Sequence, residues 1–384
     1  MSEIQIGLIP SPELPTLLAH DLANELPALF SQMISGKIHW RIEVFTDPLI
    51  GAAENVKDLM KETADIKNEK KWHYALCLTD LPLYDGKEVI LADADFRQRV
   101  AQLSVPAFGA LPIRHRIRKV VLQIVEELYE EGLEKRGANT NASRGKNDLA
   151  RSVKGSIRRQ FPFSSIHRIH SSPIGKEMDL HFIIRPRLYG KIQMLLGMTY
   201  ANRPWTIMPS FKPIVAVAFA TGAYGLIFPT LWTISASFGI PRFIGLMVAA
   251  IFSIVAWIIV SHHLWEKPTE KNNKGIRKLY NRATVLTLTV AVMFYYLALY
   301  VLFLLTVLLF VSPDMFQSLA NLKGQVHFEN YARLAWLATS IATLAGSIGA
   351  SLENEELVRN IMYGYRQRIR YEKMENHQYE HEYE

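Results

Sequence analysis

The segment Ala283–Pro313, ATVLTLTVAVMFYYLALYVLFLLTVLLFVSP, decides the architecture of this chain. It contains no Asp, Glu, Lys, Arg or His, and as a helix it is long enough to cross a hydrocarbon layer about 30 Å thick. Two further segments without ionisable side chains precede it, at Pro213–Pro241 and Phe243–Ser261. Because these segments follow one another in the C-terminal half, we predict a multi-pass membrane domain there.

This domain, residues 213–352, is predicted to be all-α with four transmembrane helices. Their expected bounds are 213–238, 243–261, 283–311 and 334–352. The loop at 262–282 carries an excess of Lys and Arg, and the tail at 353–384 carries Arg359, Arg366, Arg368, Arg370 and Lys373. Basic segments of this kind stay on the cytoplasmic side of a membrane. The first residues lack the basic and apolar pattern of a cleavable signal. We therefore predict a multi-pass protein of the cell membrane whose N-terminus and C-terminus are both cytoplasmic.

The N-terminal half alternates short apolar runs with amphipathic stretches. Over residues 1–134 this alternation predicts a cytosolic α/β domain with a mostly parallel or mixed sheet. The apolar run Tyr74–Leu78 is typical of a strand covered on both faces, and Ile113–Glu131 carries one apolar stripe at helical spacing. Residues 135–212 are expected to form a flexible basic linker followed by juxtamembrane helices.

The charge distribution indicates which partners to expect. The formal net charge is +7 over 384 residues, and the basic excess comes mainly from the middle of the chain. Basic residues beside membrane segments bind anionic lipid head groups, so we expect anionic membrane lipids and a protein partner of unknown identity, and no nucleic acid. Cys77 is the single cysteine, so the chain forms no internal disulfide.

Three acids follow predicted strands and are the candidate catalytic residues. Asp80 comes after the strand at 74–78, and Asp93 and Asp95 come after the next one. Carboxylates at the carboxyl ends of strands in an α/β sheet lie where ligands bind, and they can hold Mg²⁺ or act as general bases. The alternative is that Asp simply suits the turns that follow strands.

Seven basic residues form two candidate sites for anions or lipids. They are Arg114, Arg116 and Arg118, then Arg151, Lys154, Arg158 and Arg159. The first three lie in the first turns of a predicted helix, where the helix dipole disfavours cations, so a bound anion would offset them. The last four surround the apolar face of a short helix that suits an anionic membrane surface. In both cases the alternative is a helix with a solvated charged side.

The predicted membrane helices contain no Asp, Glu, Lys, Arg or His, which argues against an ion-coupled transporter. The fourth helix carries a ridge of small residues, Ala338, Ala342, Gly346 and Ala350. Such ridges allow close helix contact inside a bundle, which we favour here, or between the protomers of a homo-oligomer. No HExxH, CxxC or glycine-rich phosphate loop occurs, so we predict neither a metal site nor a cofactor.

Three stretches carry a family resemblance: ANRPW at 201–205, LWEKP at 264–268 and LYNRATVLT at 279–287. With them, most of the chain resembles an uncharacterised family of Gram-positive bacterial membrane proteins with four spans. Some members carry a methylenetetrahydrofolate dehydrogenase label. The chain has no dinucleotide-binding glycine fingerprint, so the resemblance implies an architecture here and no particular activity.

The N-terminal domain also resembles an archaemetzincin-type metalloprotease in its strand order and in the strand end Thr79–Leu81. That family requires HExxH on the helix after the last strand. Here the corresponding helix reads RKVVLQIVEE at 118–127, so the resemblance implies a protease without catalytic activity.

We expect a non-enzymatic function, in which a cytosolic binding or scaffolding domain is tethered to the inner leaflet and recruits a partner or senses an anionic ligand. Two alternatives stay open. One is a membrane-bound metal-dependent hydrolase that uses Asp80, Asp93 and Asp95. The other is a channel or transporter subunit.

Overall fold

The chain folds into two compact units that divide between Ala201 and Asn202. The computed structural model describes residues 2–47, 56–134, 165–170, 180–266, 274–322 and 324–349, with Met362 and Tyr365. The first unit is an α/β sheet domain, and the second is helical. This division confirms the predicted α/β domain ahead of a helical domain.

The N-terminal unit is built on one mixed sheet, which has eight strands in the described part of the chain. The strands are β1 (Ser2–Pro10), β2 (Ile38–Val44), β3 (Tyr74–Thr79), β4 (Tyr84–Asp85), β5 (Glu88–Asp95), β6 (Val100–Ser104), β7 (Ser165–His170) and β8 (Leu180–Arg185). Their order is β2-β1-β3-β6-β5-β8-β7, and β4 pairs with β5. The pairs from β2 to β6 are parallel, whereas β5, β8 and β7 are added in antiparallel pairs.

Helices cover both faces of this sheet. They are α1 (Leu14–Met33), α2 (Val56–Glu69), α3 (Ile113–Glu134) and α4 (Arg187–Ala201). The Trp40 ring of β2 packs against the rings of Phe30 in α1 and Tyr129 in α3, which places these two helices on the same face. On the other face, α2 packs with Trp72 in an apolar cluster that includes Cys77. The Trp72 ring lies so close to β1 that a Cβ on Gly7 would come within 1.8 Å of it.

The sheet extends beyond the predicted domain boundary at residue 134. Strands β7 and β8 complete its edge, and the ion pair between Arg168 of β7 and the buried Glu127 of α3, at 2.9 Å, connects this edge to the helix layer. Helix α4 packs on the 3₁₀ turn Val105–Phe108, where a Cβ on Gly197 would lie 2.0 Å from the carbonyl oxygen of Pro106. Residues 165–170 and 180–201, assigned above to the linker and juxtamembrane region, thus belong to the α/β unit.

The C-terminal unit consists of helices. After the 3₁₀ segment Pro204–Phe211 they are α5 (Lys212–Gly225), α6 (Pro229–Ser237), α7 (Ile240–Ser261), α8 (Lys274–Phe310), α9 (Pro313–Leu319) and α10 (Phe328–Gly349). Three helical runs among the described residues are long and apolar enough to cross a membrane: Pro204–Gly225, Ile240–Ser261 and Gly275–Phe310. By length and composition they are consistent with the predicted domain of transmembrane helices.

The first of these runs differs from the predicted span at 213–238. The helix ends at Gly225 and a new helix starts at Pro229, so two helices replace the single predicted one. Phe228 has an extended backbone conformation, with φ −84° and ψ 120°, because the residue before a proline is disfavoured in the helical region. The first long apolar run extends from Pro204 to Gly225, so it begins and ends earlier than the predicted span.

The predicted fourth span corresponds to α10, which is not among the three long apolar runs. Its small-residue ridge packs inside the bundle against α5. A Cβ on Gly346 would lie 2.9 Å from the Cβ of Ala218, and one on Gly222 would lie 2.8 Å from the Cβ of Ala342. Small residues on both helices thus allow their backbones to approach, as expected for an intrabundle contact.

Candidate functional site

Asp80 lies at the carboxyl end of β3, where both its carboxylate and its backbone N–H form hydrogen bonds with Ser11. The Ser11 hydroxyl donates to Asp80 Oδ1, and the Asp80 backbone N–H donates to the Ser11 hydroxyl, both at 3.2 Å. Both residues are buried. This reciprocal pair joins the ends of β1 and β3, and the hydroxyl of Ser104 at the end of β6 donates to the carbonyl of Leu81. The N-cap residue of helix α1 is Glu13 and not Ser11. The Ser11 side chain instead connects the ends of β1 and β3.

Asp93 lies in the middle of the sheet. Its side chain has no exposed surface and accepts two hydrogen bonds from neighbouring strands. Gln102 Nε2 of β6 donates to Oδ2 at 2.9 Å, and Nδ1 of His181 on β8 lies 2.7 Å from Oδ1. The strand register places these residues directly opposite Asp93. The histidine side chain is 17% exposed, so the carboxylate orients an imidazole that partly reaches solvent.

Asp95 has a turn-forming role. Its Oδ1 accepts hydrogen bonds from the backbone N–H groups of Arg97 and Gln98 at 2.8 and 2.9 Å. These bonds close the connection from β5 to β6, as aspartate commonly does after a strand. Because β5 runs antiparallel to β6, Asp95 lies beside Val100 at the start of β6, away from the strand ends that carry Asp80.

The sheet therefore separates Asp80 from Asp93 and Asp95, which both lie on strand β5. The register places Thr79, the neighbour of Asp80, beside Ser104, and four residues of β6 separate this position from Asp95, a distance of about 13 Å. Within the residues that the structure describes, no group of three His, Cys, Asp or Glu side chains is arranged to hold a metal ion. The three acids stabilise strand ends, the sheet interior and a turn.

The arginines at the start of α3 contact acids of α1. Arg114 forms ion pairs with Asp21 and Glu25, and Arg118 pairs with Glu25 at 3.1 Å. The Arg116 guanidinium donates to the carbonyl of Phe108 at 2.7 Å, and burial lowers its pKa. These ion pairs between α1 and α3 explain why arginines are tolerated at the N-terminal end of α3, where the helix dipole disfavours cationic side chains. Whether these side chains also bind an anion stays a prediction.

The second predicted basic cluster, formed by Arg151, Lys154, Arg158 and Arg159, lies outside the described residues.

Two further ionisable groups lie around α2. Glu62 has a pKa raised to about 7, first because it is partly buried and second because Asp47, Asp65 and Asp58 are near it. Complete burial raises the pKa of the Cys77 thiol well above its usual value. A cysteine nucleophile requires the thiolate, so Cys77 is a packed core residue.

A basic pocket opens where β5, β7, β8 and α4 meet. It is lined by Glu88, Ser165, His167, Arg185, Pro186, Arg187 and Leu188. Glu88 pairs with both guanidinium groups, at 3.2 Å from Arg185 and 3.5 Å from Arg187. One carboxylate thus holds two half-exposed arginines side by side, and the pocket keeps a net positive charge. Sequence reasoning missed this site, although two arginines flanking Pro186 at a strand-to-helix junction are a recognisable signal.

Polar side chains in the helical unit connect α8 to α10 and to the turn at Asn202. Asn202 Nδ2 donates to the Thr287 hydroxyl of α8 at 2.8 Å, and the hydroxyls of Tyr296 and Ser340 lie 2.7 Å apart between α8 and α10. Such pairs stabilise helix contacts in an apolar environment.

No family model, curated protein or solved structure matches the chain in the three comparisons.

Proposed function

We propose that this protein is an integral membrane protein that holds an α/β binding or scaffolding domain at the inner leaflet of the cell membrane. One observation supports this proposal above the others. Helix α4 ends at Ala201, and the first apolar run begins at Pro204. Since two residues span at most about 7 Å, the α/β unit stays next to the bilayer.

The proposed topology has four spans, with α10 as the fourth and both termini in the cytoplasm. The modest apolarity of α10 is consistent with an interior position. Its buried residues include Leu334, Ala338, Thr339 and Thr343, because other helices of the bundle surround it. A helix that faces protein rather than lipid can carry hydroxyls and small residues.

A binding role fits the α/β unit better than catalysis does. Asp80, Asp93 and Asp95 each have a structural role and do not converge, so a hydrolase that used all three would need a different arrangement of the sheet. The two hydroxyl contacts described in the helical unit join helices, which favours a membrane anchor over a conducting path.

Affinity purification from native membranes tests the proposed recruitment. The full-length protein is compared with a chain that begins at Asn202 and keeps the membrane helices. We expect protein partners that co-purify with the full-length chain and are lost with the shortened one. Recovery of the same proteins with both chains would contradict a recruiting role for the α/β domain.

A further inference from the structure

Helix α4 exposes an apolar stripe to solvent. Leu188, Ile192 and Leu196 follow each other at a spacing of four and have exposed fractions of 67%, 45% and 46%, and Tyr189 beside them is 43% exposed. Residues four apart lie on the same side of a helix. The stripe is thus one continuous surface of large apolar side chains, with the exposed Lys191 next to it.

The opposite side of α4 is fixed to the sheet domain, so the helix cannot rotate to bury the stripe. Gly190, Met194 and Met198 are buried, and the side chain of Gln193 donates to the carbonyl of Ala107 at 2.6 Å. Gly197 lies against the backbone of Pro106 without room for a Cβ. The stripe is therefore a permanent feature of the folded domain.

The stripe and the basic pocket are one surface. Leu188 belongs to both, since it begins the stripe and also lines the pocket. The pocket supplies two guanidinium groups, the Ser165 hydroxyl and the first turn of a helix of 15 residues. Arginine side chains and a helix N-terminus bind phosphate groups. A cationic pocket that continues into an apolar strip has the chemistry of a receptor for an anionic amphiphile.

The short connection between α4 and the first apolar run indicates which amphiphile lies near this surface. Leu196 lies five residues before the end of α4, about 8 Å along the helix, and two residues later the first apolar run begins. This surface therefore stays within a few tens of ångströms of the bilayer in every arrangement of the two units.

We propose that α4 is an interfacial helix and that the pocket formed by Arg185, Arg187, His167 and Ser165 binds the phosphate of an anionic phospholipid. The apolar stripe lies among the first carbons of the acyl chains, as in other amphipathic interfacial helices. This inference rests on the proposed membrane anchoring, and it names the ligand class that the α/β domain recognises.

Lipid-borne quenchers test the proposal on the full-length protein in liposomes. An environment-sensitive dye is attached to Ile192→Cys, and a matched sample carries it on Lys61→Cys, an exposed position of α2. Cys77 is fully buried, so the added cysteine is the reactive one. We expect doxyl-labelled lipids to quench the dye at position 192 several-fold more than the dye at position 61. We also expect quenching at position 192 to rise when phosphatidylglycerol replaces part of the phosphatidylcholine.

Charge variants distinguish binding of a lipid phosphate in the pocket from general electrostatic attraction to an anionic membrane. Arg185→Gln with Arg187→Gln should remove the dependence on phosphatidylglycerol, whereas Arg185→Lys with Arg187→Lys should retain part of it. Arg41→Gln is the control. Arg41 is an exposed arginine of strand β2 that pairs with Glu3 of strand β1, and this substitution should leave the quenching unchanged. Melting temperatures of all variants show whether the domain is intact.

Three results would overturn the proposal. The first is a dye at position 192 that remains as accessible to water as the dye at position 61. The second is a phosphatidylglycerol dependence that survives the double glutamine variant. The third is a loss of quenching at position 192 on addition of inorganic phosphate but not of sodium chloride at equal ionic strength, which would assign the pocket to a soluble phosphate. Quenching does not depend on which leaflet the domain faces, so it can fail while the proposed topology holds.

Discussion

At the residue scale, a buried polar row crosses the sheet of the α/β unit. The strand register places Cys77, Gln102, Asp93 and His181 side by side on β3, β6, β5 and β8. Three of these residues are linked through the carboxylate of Asp93. Because Asp93 is the shared acceptor, its loss would leave the buried amide of Gln102 and the partly exposed imidazole of His181 without this partner, and a buried unpaired group costs about 1–3 kcal/mol.

We therefore predict that Asp93→Leu, a substitution of similar size, lowers the free energy of unfolding of the full-length protein by about 2 kcal/mol or more. Thermal unfolding in detergent, followed by near-ultraviolet circular dichroism, measures the change. Asp85→Ala is the matched control, since Asp85 is an exposed residue of β4. An equal effect of the two substitutions would show that the row contributes nothing to stability.

The pKa of Glu62 predicts a pH dependence. Its value in the folded protein, about 7, lies above the ordinary value of 4.5. Between these values the folded state binds a proton that the unfolded state releases, so stability falls as the pH rises through this window. Glu62→Gln should then stabilise the protein above about pH 7, by on the order of 1 kcal/mol after solvent screening, and have little effect below about pH 4.5.

Unfolding curves of both proteins across this pH range provide the test. Glu69→Gln serves as the control, because Glu69 is an exposed residue at the end of the same helix. A constant difference between Glu62→Gln and the unchanged protein at every pH would contradict the proposed proton uptake.

The sequence identifies three acids beside apolar runs, but it does not show how the sheet arranges them. Asp80, Asp93 and Asp95 all follow or end apolar runs, which predicts one shared edge only if the strands are parallel. Strand β5 is antiparallel to β6, and no local sequence pattern predicts the direction of this strand pairing. The pocket at Arg185 was missed because it depends on pairing between β5 and β8, about ninety residues apart in the chain.

At the element scale, helix contacts in the membrane unit depend on small residues. Helices α5 and α10 cross where Ala218 and Gly222 meet Ala342 and Gly346. A Cβ at Gly222 would also come within 2.2 Å of the Phe303 ring. We predict that Gly222→Val destabilises the helical unit by about 1–3 kcal/mol, because the packed interface has no space for the side chain.

Gly245 provides a matched control in α7, since nothing lies within 4 Å of the position where its Cβ would be. Gly245→Val should leave the melting temperature in detergent nearly unchanged. If Gly222→Val were equally well tolerated, the close crossing of α5 and α10 would be incorrect.

Elements with a strong local signal could be predicted from the sequence, and the others could not. The apolar runs of α7 and α8 and the stripe of α3 identify these helices directly. Strand β7 has only two apolar residues, Ile166 and Ile169, and no strict alternation. It lies at an edge of the sheet, where Arg168 pairs with Glu127 of a helix distant in sequence. The break before Pro229 follows from proline chemistry, but from sequence alone a bend is equally compatible with it.

At the scale of the whole molecule, hydropathy divides the chain correctly into a sheet unit and a helical unit. The number of crossings is harder to predict because α10 is surrounded by other helices and is less apolar than its neighbours. Hydropathy reports contact with lipid, whereas α10 mainly contacts protein. Four crossings place the end of the chain on the same side as the α/β unit, and three would place it on the opposite side.

Cysteine labelling in intact cells distinguishes these topologies. Single cysteines replace Glu3, Lys278, Gln325 or Glu384 in separate variants, and the fully buried Cys77 should not react. With four spans, a membrane-impermeant maleimide should label only Gln325→Cys until the membrane is permeabilised. Labelling of Glu384→Cys together with Gln325→Cys would mean three spans. Labelling of Glu3→Cys or Lys278→Cys in intact cells would reverse the orientation, and the α/β domain would then face away from the inner leaflet.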